Sequence, residues 1–325
     1  MVTYVLVYVD DILVTGNQPA HITALLQQLA SEFSIKDLGR LNFFLGFEAT
    51  YQPDEVILSQ TRYITNLLQR AGMVDCKPVL TPMATTNKAS STGGVAHSDP
   101  TQYRSIDGTL QYITLTRPDV AFSVNRVCQF MHNPTKDYWS MEKRILRYLK
   151  HTIKYGLRIT KSSSQDLQAF TDADWAGDGD DKKSTGGYAI YMGPNLISWA
   201  SKKQKTVARS STESEYKALA DACAELTWLQ SLFGELSLST TQAPVLWCDN
   251  IRATYLSANP VFHACTKHIE IDFHFVRDKV AKKELQVRFI STKDQIANIM
   301  TKGLGTTRFS FLQNKLKIRS LKSSS

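Results

Sequence analysis

The chain has 325 residues, of which 42% are hydrophobic and 21% are charged, so it is long enough for two or three globular domains with buried cores. Its formal net charge of +8 favours an anionic partner without identifying it. The five cysteines form no CxxC pair, which excludes a zinc ribbon and suits a reducing compartment.

The apolar start of the chain does not have the features of a targeting segment. It lacks a basic stretch at its beginning, and Asp10 and Asp11 interrupt it after a few residues. No later run approaches the ~20 apolar residues that a membrane-spanning helix needs. We therefore expect a soluble protein of the cytoplasm or the nucleus, with no membrane contact and no targeting signal.

The first predicted element is a β-hairpin within YVLVYVDDILVTG, residues 4–16. Two apolar runs meet there at Asp10 and Asp11, so the adjacent aspartates stand at the turn. A turn explains two aspartates by itself, whereas a metal site would need further ligands from elsewhere in the chain. Helical spacing follows over residues 18–34, and short strands then lead to a helix that Gly72 closes.

A stretch rich in Ser, Thr, Gly and Pro, residues 81–102, predicts a flexible linker. Residues 103–152 predict three helices, with prolines at the intervening turns. The third helix runs into a basic segment over residues 143–161, for which two interpretations are open. The segment is either the solvated face of a helix beside its core residues or a surface that contacts phosphates along a duplex.

From residue 167 onward the pattern is that of an α/β domain. The predicted strands cover 167–175, 185–193, 195–202, 244–248 and 285–291, and the predicted helices cover 212–236, 250–258, about 267–283 and about 294–303. A strand that follows a long helical crossover implies a parallel pair in a mixed sheet covered by helices. The basic residues from 304 onward predict a frayed tail.

Four acidic residues of this domain fall where strands and helices begin or end. Asp172 and Asp174 share one face of the first strand, which is costly without a cation or another partner. Glu215 heads the core-facing stripe of the long helix, and Asp249 ends an apolar strand at the edge where open α/β sheets place their ligands. The stripe steps through Glu215, Leu219, Ala222, Leu226, Leu229 and Phe233.

Capping offers a structural alternative for two of these residues. Thr212 and Glu215 fit a T-x-x-E capping box, and Asp249 suits the N-cap of the helix at 250–258. Carboxylates that converge from three consecutive elements instead predict a hard-oxygen site for Mg²⁺ or Mn²⁺. Two such ions roughly 3.5–4 Å apart activate a water and stabilise the leaving oxygen at a phosphodiester.

Five sequence blocks of this domain carry a family resemblance. They are AFTDADWAGD, STGGYAIYMGPNLISWASKKQKTVARSSTESEYKALADACAELTWL, PVLWCDN, TKHIEIDFHFVRDKV and TKDQIANIMTKGL. In this order they resemble the ribonuclease H domain of copia-type LTR-retrotransposon Pol polyproteins. The upstream part resembles the carboxyl half of the reverse transcriptase of the same family through YVLVYVDDILVTGN, FSIKDLGRLNFFLGFE, LSQTRYITNLLQRAGM and GTLQYITLTRPDVAFSVNRVCQFMHNPT. The resemblance runs from residue 4 to residue 305.

The resemblance implies an α/β fold: a ribonuclease H-like mixed five-stranded sheet with flanking helices, preceded by a partial reverse transcriptase palm and a helical connection region. The implied limits are 1–80 for the carboxyl-terminal part of the palm with the primer-grip region, 81–102 for the linker, 103–164 for the helical thumb or connection region, 165–303 for the ribonuclease H domain and 304–325 for the basic tail. FFLGFE, residues 43–48, resembles the strand that grips the primer.

Position by position, the resemblance implies roles for single residues. Asp172, Glu215 and Asp249 match the first three carboxylates of the ribonuclease H site, and they are the same residues that the spacing singles out. Asp10 and Asp11 match the YxDD pair that binds metal in the polymerase palm. The implied cofactor is Mg²⁺ or Mn²⁺, and the implied partners are an RNA–DNA hybrid or another nucleic acid and other parts of a Pol polyprotein.

Two departures from the family pattern affect the expected chemistry. The family's fourth ribonuclease H carboxylate lies in an ADI triplet, which here is ANI with Asn298, so a weaker ligand replaces a charged one and we expect reduced activity. Asp294, one turn earlier, is either a partial substitute or a helix N-cap. In the family, a further polymerase aspartate lies upstream of YxDD, so a chain that starts at Met1 is expected to hold a truncated polymerase without activity.

Four functions therefore compete. The first is a metal-dependent ribonuclease H that cuts RNA in RNA–DNA hybrids, attached to a truncated reverse transcriptase that is not polymerase-competent. The second is a degenerate nucleic-acid-binding pseudoenzyme without catalysis, which Asn298 and the truncated palm favour. The third is a DNA polymerase, against which the missing upstream half argues. The fourth is zinc binding through His263, Cys265, His268 and His274, whose spacing fits no standard zinc site.

Overall fold

The structure is a computed structural model that describes residues 2–85, 94–238, 242–258 and 269–321. At its start, β1 (Thr3–Tyr8) and β2 (Asp11–Gly16) pair antiparallel, which is the predicted hairpin. Helix α1 (Pro19–Glu32) follows and has no buried residue. The hairpin strands are largely exposed as well. The first thirty residues therefore contribute little to the core.

One sheet is wholly antiparallel, and its strands come from distant parts of the chain. They are β3 (Phe43–Phe44), β4 (Phe47–Gln52), β5 (Glu55–Ser59), β6 (Tyr155–Thr160) and β12 (Ile318–Ser320). Their order is β12-β6-β5-β4-β3. Arg158 of β6 pairs with Glu55 of β5 across the sheet. The predicted domain limits remain predictions, although this sheet connects three of the predicted regions.

Four helices form a layer in the middle of the chain. They are α2 (Thr61–Arg70), α3 (Pro100–Ile113), α4 (Ala121–Cys128) and α5 (Lys136–His151). The last three are the helices that the sequence predicts over 103–152. Proline occupies the first position of α3, and Asp99 caps this helix by accepting hydrogen bonds from the backbone N–H groups of Thr101 and Gln102.

Two arginines of the basic segment 143–161 are neither fully solvated nor free to bind phosphates, because they form hydrogen bonds within the protein. Arg144 donates a hydrogen bond to Thr81 Oγ1 at 2.8 Å. Arg147 donates to the carbonyl oxygen of Lys77 at 2.6 Å. These two side chains therefore hold α5 against Lys77 and Thr81, at the start of the predicted linker 81–102, and are not free to bind phosphates. Residues 86–93 of that linker lie outside the described residues.

The predicted mixed five-stranded sheet is confirmed. It consists of β7 (Leu167–Asp174), β8 (Thr185–Met192), β9 (Asn195–Lys203), β10 (Val245–Cys248) and β11 (Gln286–Phe289). The order is β11-β10-β7-β8-β9, with β7, β8 and β9 antiparallel and with β10 parallel to both β7 and β11. Since β7 and β10 are parallel neighbours, their carboxyl ends meet at the same edge of the sheet.

Helices cover both faces of the mixed sheet. One face packs against α6 (Ser211–Glu235), α7 (Ile251–Ala258) and α8 (Glu270–Ala281). The alternate residues Phe170, Ala189 and Tyr191 face the other way and join the core of the helical layer. The core-facing stripe predicted for α6 is buried throughout. Among the described residues, none of the helices has the length and apolar content of a membrane span.

The end of the chain differs from its predicted structure. The helix predicted at about 294–303 is only a short 3-10 helix, Ile296–Met300. The prediction of a frayed tail is wrong for residues 305–321, which form α9 (Thr306–Lys315) and β12. Apolar side chains at helical spacing lie among the basic ones and anchor this tail in the core. They are Phe309, Leu312, Leu316 and Ile318.

A buried polar network also holds α9 in place. Arg117 is fully buried and donates two hydrogen bonds to the carboxylate of Asp119, at 2.9 and 2.8 Å. Gln313 of α9 donates to the same carboxylate at 3.1 Å, and Tyr148 of α5 donates to it as well. Because each buried charge has a partner, the network joins α9 to the helical layer without leaving an isolated charge.

Candidate metal centre

Asp172 lies within β7, opposite Gly187 of β8, and its exposed fraction is only 2%. The 3-10 helix Ile296–Met300 packs against these two strands, and this contact needs a glycine. A Cβ atom added to Gly187 would lie 2.6 Å from Met300 Cβ, closer than packed side-chain atoms approach. Gly187 therefore allows the segment after the 3-10 helix to reach Asp172.

Thr301 and Lys302, the first residues after the 3-10 helix, contact Asp172. The Thr301 hydroxyl donates to Asp172 Oδ2, and Lys302 Nζ lies 3.1 Å from Oδ2 and 3.3 Å from Oδ1. Burial lowers the pKa of Lys302, but the charge of Asp172 and of further carboxylates nearby raises it above its ordinary value, so the amine is charged. Sequence reasoning missed both residues, although they belong to the block TKDQIANIMTKGL.

Glu215 lies near the start of α6 with an exposed fraction of 7%. Capping does not use it, because Ser210 caps α6 and accepts from the Glu213 N–H at 3.2 Å, while the Glu213 carboxylate accepts from the Arg209 N–H at 2.8 Å. The alternative of a capping box made by Thr212 and Glu215 is therefore wrong, since the helix begins earlier. Within the described parts of the chain, Glu215 Oε2 is buried and has no hydrogen-bond partner.

Asp249 follows β10 and does not cap a helix either. Asn250 Oδ1 accepts from the Ala253 N–H at 3.0 Å, so Asn250 takes the capping role at the start of α7. The Asp249 carboxylate is instead hydrogen-bonded to the Thr292 side chain. Neighbouring residues therefore cap both helices, and Glu215 and Asp249 remain available to a ligand.

The carboxylates of Asp172, Glu215 and Asp249 converge, with one oxygen of each lying within 4.8 Å of the others. Burial, together with the charges of Asp172 and Asp249, raises the pKa of Glu215 to about 9. Burial and the charge of Asp172 likewise raise the pKa of Asp249 above its ordinary value. In the described residues, this is the one group of three or more carboxylate, imidazole or thiol side chains placed closely enough to hold a metal ion.

Asn298, in the 3-10 helix, is 4% exposed. Its Nδ2 donates to the Thr292 carbonyl oxygen at 3.2 Å, while its Oδ1 is buried without a partner in the described residues. Asp294 is exposed and lies outside the group of three carboxylates. Its N-cap interpretation is wrong, because Gln295 caps the 3-10 helix by accepting from the Ala297 N–H.

Three further predicted acids lie outside the group. Asp174 follows Asp172 on the same face of β7 but is not one of the three converging carboxylates. Asp10 and Asp11 are exposed at the hairpin turn, as predicted for the turn itself. Over the described ranges, no further carboxylate, histidine or cysteine completes a metal site with them. Their role as polymerase ligands stays a prediction.

Of the four residues of the alternative zinc site, only His274 lies within the described residues. His263, Cys265 and His268 lie outside the described residues. His274 is on α8, half-buried, with its ring against the edge of Phe273. A packed position of this kind accounts for His274 without a metal ion.

The donor atoms of the three carboxylates fit a divalent cation that prefers oxygen. Carboxylate and amide carbonyl oxygens are the ligands that bind Mg²⁺ and Mn²⁺ in proteins. Two such atoms, Glu215 Oε2 and Asn298 Oδ1, are buried and have no partner among the described residues. A buried acceptor without a partner costs free energy, and at Glu215, whose carboxylate converges with those of Asp172 and Asp249, a bound cation would supply the partner.

Comparison with known proteins identifies relatives over nearly the whole chain. The family described as "Reverse transcriptase (RNA-dependent DNA polymerase)" matches residues 2–85. The retrovirus-related Pol polyprotein from transposon RE1 of Arabidopsis thaliana is 50% identical over 317 residues, which cover 98% of this chain and 22% of that protein. An uncharacterized mitochondrial protein of the same plant is 50% identical over 225 residues, which cover 69% of this chain and 93% of that protein.

The chain spans 22% of the length of the curated Pol relatives from transposons RE1 and RE2. Among solved structures, the foamy viral protease–reverse transcriptase dRH in complex with double-stranded DNA is similar, with a TM-score of 0.54 and 14% sequence identity. That match covers 89% of this chain and 46% of the foamy viral chain. At this identity, the similarity concerns the fold alone.

Proposed function

The chain belongs to the Pol polyproteins of copia-type retrotransposons, and on this premise we propose that it hydrolyses the RNA strand of RNA–DNA hybrids with a divalent metal ion. One observation carries the proposal: the carboxylates of Asp172, Glu215 and Asp249, of which the first two are buried and the third is half-buried, converge beside a ribonuclease H-like mixed sheet. Convergent carboxylates that hold divalent ions are typical of enzymes that hydrolyse phosphodiesters.

The three carboxylates would hold Mg²⁺ or Mn²⁺, with Asn298 Oδ1 as a neutral neighbour. When bound, the ion supplies Lewis-acid activation of phosphodiester hydrolysis. Thr301 and Lys302 fix the position of the Asp172 carboxylate by donating to it. The raised pKa of Glu215 keeps a proton on its carboxyl group near neutral pH, and cation binding displaces that proton.

An exposed tryptophan beside the carboxylates offers a surface for the nucleic acid. Trp175 directly follows β7, is 48% exposed, and donates from Nε1 to the Ala208 carbonyl oxygen at 3.0 Å. Ala208 belongs to the loop between β9 and α6, in which Lys205 and Arg209 are exposed. Aromatic faces bind bases, and basic side chains bind phosphates, so this loop and Trp175 support nucleic-acid binding next to the site.

Cleavage of a labelled RNA–DNA hybrid in Mg²⁺ or Mn²⁺ tests the proposal. The wild type and a control, Asp75→Asn, which changes an exposed aspartate outside the site, are expected to cut the RNA strand. Asp172→Asn is expected to slow cleavage by roughly 100-fold or more, because even the outer partners of metal ligands are worth up to that factor. Equal cleavage by the wild type and Asp172→Asn, or cleavage by neither, would contradict the proposal.

Asn298 favours a second function, a nucleic-acid-binding pseudoenzyme without catalysis. Its neutral amide leaves the surroundings of the carboxylates with one negative charge fewer than a fourth acid would give, and this weakens cation binding. Under this alternative, the chain binds the hybrid without metal, loses affinity steeply as salt is raised, and does not cut RNA. A gel-shift series in increasing salt, run beside the cleavage assay, separates the two functions.

We further propose that the described residues do not polymerise DNA by themselves. Two-metal phosphoryl transfer needs ligands from more than one strand of a palm, and Asp10 and Asp11 share one hairpin turn without a further ligand in the described residues. Primer extension tests this expectation. Extension by the wild type that the change Asp10→Asn abolishes would contradict it.

A further inference from the structure

The ammonium group of Lys302 contacts the carboxylate of Asp172. Its Nζ is 3.1 Å from Oδ2 and 3.3 Å from Oδ1, so the ammonium faces both oxygens of the carboxylate. We propose that Lys302 serves as a built-in cation in place of a second metal ion, so that the site binds a single divalent ion. The proposal rests on the proposed role of Asp172, Glu215 and Asp249 as metal ligands.

The balance of charge supports a single ion. With metal bound, the three carboxylates carry three negative charges, and Lys302 contributes one positive charge. One divalent ion then neutralises the site. A second divalent ion would leave two uncompensated positive charges among side chains that are mostly buried, which is unfavourable. A fourth carboxylate would offset part of that excess, but Asn298 carries no charge.

Some carboxylate and amide oxygens of the site accept hydrogen bonds, and others have no hydrogen-bond partner. Asp172 already accepts from Thr301 and Lys302. In contrast, Glu215 Oε2 and Asn298 Oδ1 are buried and accept no hydrogen bond from the described residues. The acceptors without a hydrogen-bond partner therefore belong to residues other than the one that Lys302 contacts, and Glu215 Oε2 is available to an ion held by the three carboxylates.

The backbone holds Lys302 in its place. The N–H groups of Thr301 and Lys302 both donate to the Asn298 carbonyl oxygen, at 3.4 and 3.3 Å. Gly303 packs so closely that an added Cβ would lie 2.5 Å from the Ala84 carbonyl oxygen. The backbone therefore fixes the position of Lys302, and one helical turn connects Lys302 to Asn298, the neutral residue at the position of the family's fourth carboxylate.

Calorimetric titration of the full chain with Mn²⁺ counts the bound ions without measuring activity. We expect the wild type to bind one ion. The double variant Lys302→Met/Asn298→Asp, which removes the ammonium and adds a carboxylate, is expected to bind two. Lys302→Arg keeps the charge and is expected to bind one ion. The control Lys293→Met, which removes an exposed lysine of the same segment, is also expected to bind one.

Circular dichroism would show whether the variants without Lys302 fold. If they do not, the single variant Asn298→Asp, which retains Lys302, still tests the proposal. With Lys302 in place, this variant is expected to bind one ion roughly tenfold more tightly than the wild type. Two ions in the wild type, or one ion in the folded double variant, would overturn the role of Lys302. The expected ion numbers without hybrid cleavage would support this role and contradict the proposed ribonuclease function.

Discussion

The carboxyl group of Glu215 favours its neutral form in the absence of a cation. It lies beside Asp172 and Asp249, one of its oxygens has no partner among the described residues, and its pKa is raised to about 9. Near neutral pH the group is therefore protonated when no cation is present, because burial and like charges both favour the neutral form. A cation reverses this preference, since it favours the ionised carboxylate.

We expect Mn²⁺ binding to release a proton and to strengthen as the pH is raised. The pKa of about 9 gives the sign, because below that pH the metal must displace a proton from Glu215, and this requirement weakens as the pH approaches the pKa. Calorimetry near neutral pH in two buffers with different ionisation enthalpies measures the protons released. Glu215→Gln is the control, since it has no proton to lose. Binding to the wild type without proton release would contradict the expectation.

At the residue scale, the sequence predicts the acids of the site better than its other members. Asp172, Glu215 and Asp249 each hold a recognisable place in a local pattern, namely a strand face, the head of a helical stripe and the end of a strand. Thr301 and Lys302 have no such signal, because their contact with Asp172 depends on the approach of two distant segments.

The 3-10 helix Ile296–Met300 positions one side of the site, and its approach to β8 depends on one of two adjacent glycines. A Cβ atom added to Gly187 would lie 2.6 Å from Met300 Cβ and 3.1 Å from Thr301 Cγ2. A Cβ atom added to Gly186 would lie 3.4 Å from its nearest neighbour, which is an ordinary contact. The two glycines therefore form a matched pair for substitution.

Gly187→Ala is expected to lower the free energy of unfolding by about 1–3 kcal/mol, because the added methyl group overpacks the contact with the 3-10 helix. It is also expected to weaken Mn²⁺ binding, since Thr301 and Lys302 would move away from Asp172. Gly186→Ala is expected to leave both quantities nearly unchanged. Thermal unfolding and Mn²⁺ titration of the two variants measure the effects. Equal effects would show that the Gly187 contact does not position the site.

At the element scale, the strands and long helices follow from the sequence because their periodic patterns extend over many residues. The last two elements do not. The predicted helix at about 294–303 is cut to one 3-10 helix, with Gln295 as its cap and Gly303 packed tightly after its end. In α9 the apolar residues that pack in the core are interspersed with basic and polar ones. The prediction of fraying relied on the charge of the tail and overlooked this apolar spacing.

Asp178 connects the helical layer to the mixed sheet. Its buried carboxylate accepts hydrogen bonds from Arg126 of α4 at 2.5 Å and from Lys203 of β9 at 2.6 Å. Although burial raises its pKa, the hydrogen bonds from Lys203 and from the Asp180 N–H, together with Arg126, hold the pKa well below its ordinary range. The folded protein therefore favours the ionised form of Asp178.

Asp178→Asn is expected to lower the free energy of unfolding by about 1.5–3 kcal/mol near neutral pH. A carboxyl group whose pKa is lowered by folding stabilises the protein above its unfolded pKa of about 3.9, and this stabilisation is lost as the pH falls through the folded pKa. The difference between wild type and variant should therefore shrink below about pH 4. Urea unfolding over a pH series measures it. A difference that does not depend on pH would assign the effect to packing.

At the scale of the whole molecule, the mixed sheet could be predicted because long helical crossovers imply parallel neighbours. The antiparallel sheet could not, since β5, β6 and β12 pair across long stretches of sequence. None of these strands carries a local signal for its partner. The predicted domain limits divide the chain into successive regions and therefore do not include the antiparallel sheet, whose strands come from three of those regions.

The position of β12 in the antiparallel sheet affects how the chain folds during translation. The strand completes an edge begun by residues translated much earlier, because β12 pairs with β6 and β6 pairs with β5. On the ribosome, β6 therefore exposes unpaired backbone groups until residues 318–320 have left the exit tunnel. Contacts over such sequence separations form slowly. We therefore expect nascent chains, and truncated chains that lack residues 318–320, to leave this edge of β6 unpaired and to aggregate more readily than the full chain.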